Sequence, residues 1–186
     1  MYRLTLVDTL NAEKTKENIY NQQDFSYIFE AYYKRVYNFI YYQVSCHYAA
    51  EDLTSQVFLK AMVNIEKSSK DKSPFEVWIF AIAKNIVNDY FRSRKKYNIF
   101  SIDGVKELIS KMKTPEEIVE ISETNDELLK ALRRLNTREK SIVSLKFGAE
   151  LKNKEIAEIL GLTESNVGII LYRTMKKLKK ELEKEE

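Results

Sequence analysis

The sequence predicts an all-α protein of two small helical domains joined by a linker, the C-terminal one a four-helix unit containing a helix-turn-helix. Three observations carry this. Only four Gly and two Pro occur in 186 residues, few for a chain of tight turns. Apolar residues recur at i, i+3, i+4 and i+7 over most of the length. The stretch Asn153 to Leu178, NKEIAEILGLTESNVGIILYRTMKKL, places a short periodic helix, a glycine, a capping threonine and a second periodic helix in succession.

In chain order, residues 1–23 form an N-terminal extension. Tyr2, Leu4, Leu6 and Val7 suit a short strand or a helix start, and polar Asn11 to Asn18 reads as loose. Residues 24–96 form the first domain. A helix over 24–45 presents Phe25, Ile28, Phe29, Tyr32, Val36, Phe39, Ile40 and Gln43 on one face. Tyrosines at 27, 33, 37, 41 and 42 widen that face beyond what one helix can bury. A second helix over 49–65 turns Leu53, Val57, Phe58, Ala61 and Ile65 inward. The hydrophilic loop 66–74 ends at Pro74, a residue suited to a helix start. A third helix over 75–92 packs through Phe75, Trp78, Ile79, Ile82, Ile86 and Tyr90. Residues 97–127 lose the long period and turn acidic from Glu116 to Glu127, as a linker does.

Residues 128–186 form the second domain. Leu128, Leu129, Leu132 and Leu135 make its first stripe. The chain breaks at Asn136, Thr137 caps the next helix, Ile142, Val143, Leu145 and Phe147 supply its apolar residues, and Gly148 closes it. Ile156, Ala157 and Leu160 then share a helical face. Gly161 supplies the positive φ of a tight turn, Leu162 plugs the corner, and Thr163 caps the second helix through its hydroxyl. Val167 and Leu171 face back.

Composition bounds the function. A hydrophobic content of 44% supports real cores, and the net charge of +3 is modest. One cysteine, Cys46, excludes an intramolecular disulfide framework. His47 follows it, but with no second His or Cys a set of four strong metal ligands cannot assemble, and immediate neighbours do not converge as a nucleophile–base pair. No apolar run spans a bilayer, and the N-terminus lacks a secretory hydrophobic core. A cytoplasmic chain with no membrane insertion of its own is expected. Without a Gly-rich phosphate loop, a catalytic triad or a metal set, no enzyme activity and no cofactor is expected.

Three surfaces carry candidate chemistry. The outward face of the second helix of the helix-turn-helix offers Glu164, Ser165, Asn166, Gly168, Ile169 and Arg173 to base edges in a major groove. Lys176, Lys177, Lys179 and Lys180 continue it as a cationic tail suited to phosphates. The run Arg92-Ser93-Arg94-Lys95-Lys96, with Trp78, Phe80, Tyr90 and Phe91 nearby, joins charges for phosphates to rings on which unpaired bases can stack; the plainer account is a core Trp beside a solvated helix end. Glu51, Asp52 and Gln56 form either a solvated helix start or a polar docking patch. As adjacent helix residues, the two carboxylates diverge and cannot flank one reacting atom.

These stretches resemble a bacterial RNA polymerase sigma factor of the extracytoplasmic-function type. Ala50-Glu51-Asp52-Leu53-Thr54-Ser55-Gln56-Val57-Phe58-Leu59-Lys60-Ala61 resembles that family's polymerase-binding helix. The run from Trp78 to Arg92, WIFAIAKNIVNDYFR, resembles its promoter-melting and minus-10 helix. Leu135 to Leu178 resembles its minus-35-reading domain. With their neighbours they cover residues 25–96 and 128–182.

The resemblance implies a non-enzymatic subunit that directs promoter recognition and strand opening, leaving nucleotide addition to the polymerase. Glu51, Asp52, Gln56 and Phe58 would meet the coiled coil of the largest subunit. Asn85, Asp89, Arg92, Arg94 and Lys95 would meet the minus-10 element, and loop 66–74 would capture a flipped base. Ser165, Asn166, Gly168, Ile169, Arg173 and Lys176 would face the minus-35 element. Implied partners are core RNA polymerase, through its coiled coil and flap, promoter DNA and an anti-sigma factor. Three departures stand out. Ala49 replaces a frequent aspartate. Gly168 replaces a common lysine and lowers helix propensity by up to about 1 kcal/mol. Ile169 and Ile170 replace polar or basic residues, and exposed Ile suits thymine methyls. A different reading of the same chain is a stand-alone helix-turn-helix regulator whose N-terminal domain senses a signal or dimerises.

Overall fold

The computed structural model describes residues 6–68, 73–100 and 123–183. Every regular element among them is helical: α1 Leu6–Val44, α2 His47–Ser68, α3 Phe75–Phe100, α4 Glu123–Arg133, α5 Thr137–Val143, a π-turn Ser144–Gly148, α6 Asn153–Leu160 and α7 Glu164–Leu182. They form an N-terminal cluster, α1–α3, and a C-terminal cluster, α4–α7. The expected features at residues 1–5, at 69–72 within loop 66–74 and in the acidic segment up to residue 122 lie outside the described residues, while the expected start of that loop, 66–68, is the helical end of α2.

Helix α1 begins at Leu6, so the stretch Asn11 to Asn18 expected to be loose is helical. Polarity suggested a loop, but that stretch holds no Gly or Pro and is rich in Glu and Lys, which favour helix. Helix α3 likewise runs past Arg92 to Phe100.

The chain divides into two compact units, one ending at Lys34 and one beginning at Arg35. In the first, Tyr27, Phe29 and Tyr33 of α1 are exposed. In the second, Val36, Phe39 and Ile40 pack with Leu53, Val57, Phe58 and Ala61 of α2 and with Val77, Ile79, Phe80, Ala83, Ile86 and Val87 of α3 as buried residues. The Phe39 and Phe80 rings meet edge to face, 6.0 Å apart. Trp78, expected inside, is half-buried and tilts against Phe75. Phe80, expected beside the basic run as a stacking ring, is fully buried and cannot stack on a base.

Helix α7 is the centre of the C-terminal cluster and touches α4, α5 and α6. Its Leu178 closes a core with Leu129, Leu132, Leu135 and Val143, against which Leu128, Leu171 and Leu182 pack. The cap of α5 differs from expectation. Asn136 is the N-cap: its Oδ1 accepts from the Glu139 amide at 2.9 Å, and Glu139 Oε2 accepts from the Asn136 amide at 3.0 Å. Both satisfy amides that the helix start leaves without partners, and Asn precedes the glutamate by the required three residues whereas Thr137 does not. After Val143 the backbone widens into the π-turn, which rotates Phe147 outward, where it is half exposed rather than part of the core. Leu151, which follows the turn, is buried.

Candidate nucleic-acid interface

The helix-turn-helix forms from the residues that signalled it. Gly161 sits at φ 64°, in the left-handed region that glycine enters without strain. Leu162 N–H donates to Ala157 O at 2.9 Å, closing the end of α6. Thr163 Oγ1 accepts from Asn166 N at 3.2 Å and caps α7. Ala157 and Val167 are buried at the crossing. Ile159 also turns inward, while Leu160 is half-buried, so the inner face of α6 lies one residue earlier than the sequence pattern suggested.

With Val167 fixed inward, Glu164, Ser165, Asn166, Ile169, Arg173 and Lys176 are exposed and Gly168 is half-exposed. A Cβ at Gly168 would meet only Asn153 Nδ2, at 3.8 Å, so the surface there is shallow by composition and not by crowding. Asn166, Ile170 and Arg173 line one groove with Asn136 and Arg138 of the α5 start. Arg138 is an exposed cation beside the reader that sequence reasoning missed, because it lies outside the helix-turn-helix pattern. Lys176 extends over the Tyr172 ring at 4.7 Å. Lys177, expected in the cationic tail, instead pairs with Glu139 at 3.0 Å. Partial burial opposes charge on Glu139, yet the Asn136 amide and the Lys177 ammonium outweigh it and hold the carboxyl below the ordinary glutamate range.

On α3, Asn85 and Asp89 are exposed, with Arg92, Arg94 and Lys95 beyond them. Asp89 pairs with Arg92 at 3.4 Å. Arg94 donates to Tyr90 Oη at 2.9 Å and lies over its ring. Arg92 and Arg94 are thus each tied to a side chain about one turn earlier on the same helix. Phe91 is exposed and Tyr90 half-buried, leaving these two rings beside the basic run.

On α2, Glu51, Asp52 and Gln56 are exposed, and Gln56 Nε2 donates to Asp52 Oδ2 at 2.8 Å. Phe58, expected at the same surface, is only 4% exposed and belongs to the core. The apolar surface beside Asp52 and Gln56 comes instead from Leu59, Met62 and Val63, the last 82% exposed. Their i, i+3, i+4 spacing puts them on one face next to Gln56. The sequence signal was present, since Val57–Phe58–Leu59 and Met62–Val63 exceed what one inward stripe can hold.

Two family models match this chain: Sigma-70 region 2 over residues 28–97 and Sigma-70, region 4 over residues 125–178. The ECF RNA polymerase sigma factor SigM of Bacillus subtilis is 30% identical over 153 residues, covering 82% of this chain and 91% of SigM. The chain belongs to the extracytoplasmic-function sigma factors. The ECF sigma factor BldN of Streptomyces coelicolor is 32% identical over 154 residues, 83% of this chain but 58% of BldN, so the sigma factor described here spans less than two thirds of that relative. In fold it resembles the sigma factor RpoE of Bartonella quintana, solved with the anti-sigma factor NepR, at a TM-score of 0.68, 21% identity and coverage of 87% and 98% of the two chains. CnrH, solved with the cytosolic domain of CnrY, gives 0.66 at 17% identity over 89% and 91%.

The sigma factor directs promoter recognition in transcription initiation and is not itself an enzyme. The stand-alone regulator reading gives way, because the region 2 match occupies the helices that reading assigned to sensing or dimerisation. No described helix is long and apolar enough to cross a membrane.

Proposed function

We propose that this sigma factor divides its work among three surfaces, in a first domain over residues 24–96 and a second over 128–186. Helix α2 docks on the coiled coil of the largest polymerase subunit through Glu51, Asp52 and Gln56, with Leu59, Met62 and Val63 as the apolar part of the same contact. Helix α3 meets the minus-10 element through Asn85, Asp89, Arg92, Arg94 and Lys95. Helix α7 meets the minus-35 element through Ser165, Asn166, Gly168, Ile169, Arg173 and Lys176, with Arg138 on the flanking phosphates, while the C-terminal cluster engages the polymerase flap. Like RpoE and CnrH, whose solved complexes include NepR and CnrY, it is held by an anti-sigma factor, and it works in the cytoplasm.

The α2 face carries the docking part of this reading. Three large apolar side chains stand exposed beside a hydrogen-bonded acid–amide pair, the mixed polar and apolar composition of a protein interface. The test is titration of purified core polymerase with Val63→Glu and Asp52→Lys chains. Each variant is expected to bind core at least about tenfold more weakly, the effect of losing ~1.4 kcal/mol or more at a contact centre, while keeping its affinity for a minus-35 duplex. Wild-type core affinity in both variants would remove α2 from the interface.

A further inference from the structure

The middle of the exposed face of α7 is hydrocarbon. The run Gly168-Ile169-Ile170-Leu171-Tyr172 carries a single side-chain hydrogen-bonding group, the Tyr172 hydroxyl. Ile170 and Leu171 are half-buried, so Ile169, at 49% exposure, and Tyr172, at 63%, are the two that stand outward. Ser165, Ile169, Tyr172 and Lys176 follow the spacing i, i+4, i+7 and i+11, which places them on one face of the helix. Lys176 covers one face of the Tyr172 ring and leaves the rest to the surroundings.

Gly168 opens this face further. A Cβ there would meet one side-chain atom within 4 Å, Asn153 Nδ2 at 3.8 Å. Neither Ser165 nor Tyr172, one turn to either side, fills the space. The position needs no positive φ, and an added methyl group would clash with nothing among the described residues. Glycine weakens a helix interior relative to alanine, so the gap is a cost that packing does not explain. What glycine supplies here is close approach, because a backbone without a side chain can lie against a ligand.

The charges around the strip identify what covers it. Arg138 and Arg173 stand exposed on one side, with Lys176 and Lys180 further along α7. From Ser165 to Leu178 the helix holds no carboxylate. A hydrocarbon strip set among cations matches the floor of a DNA major groove between its two phosphate backbones. Every base pair presents donors and acceptors on that floor, but only thymine presents a methyl group. Side chains three apart on a helix lie about 5–6 Å from each other, and stacked base pairs about 3.4 Å. Ile169 and Tyr172 therefore fall on base pairs one or two steps apart.

We propose that Ile169 and Tyr172, beside the gap at Gly168, are specificity-determining residues of the minus-35 contact and read thymine through its 5-methyl group at two nearby base pairs. Gly168 lets the helix settle deeply enough for both side chains to reach, while the surrounding cations hold the register on the phosphates. This rests on the assignment of α7 to the minus-35 element and names the base chemistry that α7 selects. The discrimination comes from burying apolar surface and not from a hydrogen bond. Each methyl group therefore contributes about three- to fivefold in affinity, the worth of one buried methyl-sized group. Salt weakens the phosphate contacts but leaves that ratio unchanged.

The full-length chain, bound to purified core polymerase, first selects its minus-35 sequence from duplexes randomised there. Thymine is expected at two nearby positions, on either strand. Replacing it there with deoxyuridine, which removes the methyl group and keeps the base pair, should weaken binding about three- to fivefold per position. Deoxyuridine retains the narrow minor groove of A·T runs, so the loss separates methyl readout from readout of shape. Ile169→Ala should bind the thymine duplex about as weakly as wild type binds the deoxyuridine one, and lose the distinction at one position. Tyr172→Ser should lose it at the other. Equal wild-type affinity for the two duplexes at every position, or variants that still distinguish them, would overturn methyl readout. So would an Ile169→Ala chain that loses affinity for core in the absence of DNA, since the strip would then belong to the polymerase contact. Arg173→Ala is the control for the underlying reading. If it weakens duplex binding while thymine and deoxyuridine bind alike, only methyl readout fails; if it changes nothing, α7 is not the minus-35 reader and both fail.

Discussion

Arg173→Ala binds a minus-35 duplex about five- to a hundredfold more weakly than wild type. The range corresponds to the ~1–3 kcal/mol that an arginine contact to a base edge supplies. Arg173 is exposed nearly three turns beyond the capped start of α7, in the groove shared with Asn166 and Arg138. No hydrogen bond or ion pair ties it to a buried group among the described residues, so the loss appears in binding and not in folding. Fluorescence anisotropy across a salt series separates its two possible contacts. If Arg173 touches a phosphate, the slope of log affinity against log salt falls by about one unit and all duplexes weaken alike; if it touches a base, the loss concentrates on the preferred sequence. Unchanged affinity at every salt concentration would take α7 out of the minus-35 reader.

The second large effect is on stability. Phe80→Ala destabilises the protein by about 3–5 kcal/mol, the usual cost of emptying a buried aromatic site. Phe80 is 0% exposed, meets Phe39 edge to face and carries the Arg35 guanidinium over its ring at 5.6 Å. The substitution removes that ring from between α1 and α3 and leaves a cavity that two long helices cannot collapse around. Urea unfolding measures it as a fall in midpoint. If Phe80 were instead a stacking ring for single-stranded DNA, the midpoint would barely move and only promoter opening would suffer.

Phe80 also shows where the sequence was hard to read. Its proximity to aromatics and a basic run suggested stacking, and only the course of α1, which brings Phe39 and Arg35 over it, shows that it is covered. Phe58 is a different case: helical periodicity placed it on the inward stripe of α2, as the structure has it, and only the resemblance put it at the docking surface. The structure buries it with Val57 and leaves Leu59 outside with Met62 and Val63. The α1 tyrosines were legible as a surplus, but their partner was not, since Tyr41 and Tyr42 meet a core that lies in sequence beyond residue 122.

Local chemistry read well. Gly161 and Thr163 needed only backbone rules to be placed, because a left-handed turn and a capped helix start are decided within four residues. Asn136 followed the same rules, but two adjacent residues could each have capped α5, and the glutamate three positions on selects Asn136 over Thr137. The all-helical class followed from the scarcity of Gly and Pro. How the two clusters meet depends on bonds such as the one Lys84 Nζ donates to Ile159 O, between residues that no local pattern links.

Run-off transcription with purified core polymerase, on fragments from upstream of the protein's own gene, tests the central claim most directly. The account predicts that core alone gives no defined start, and that adding this chain yields a discrete transcript that weakens with Arg173→Ala and with Val63→Glu. A chain that binds duplex DNA yet leaves core polymerase without start-site selectivity on every such fragment would contradict it.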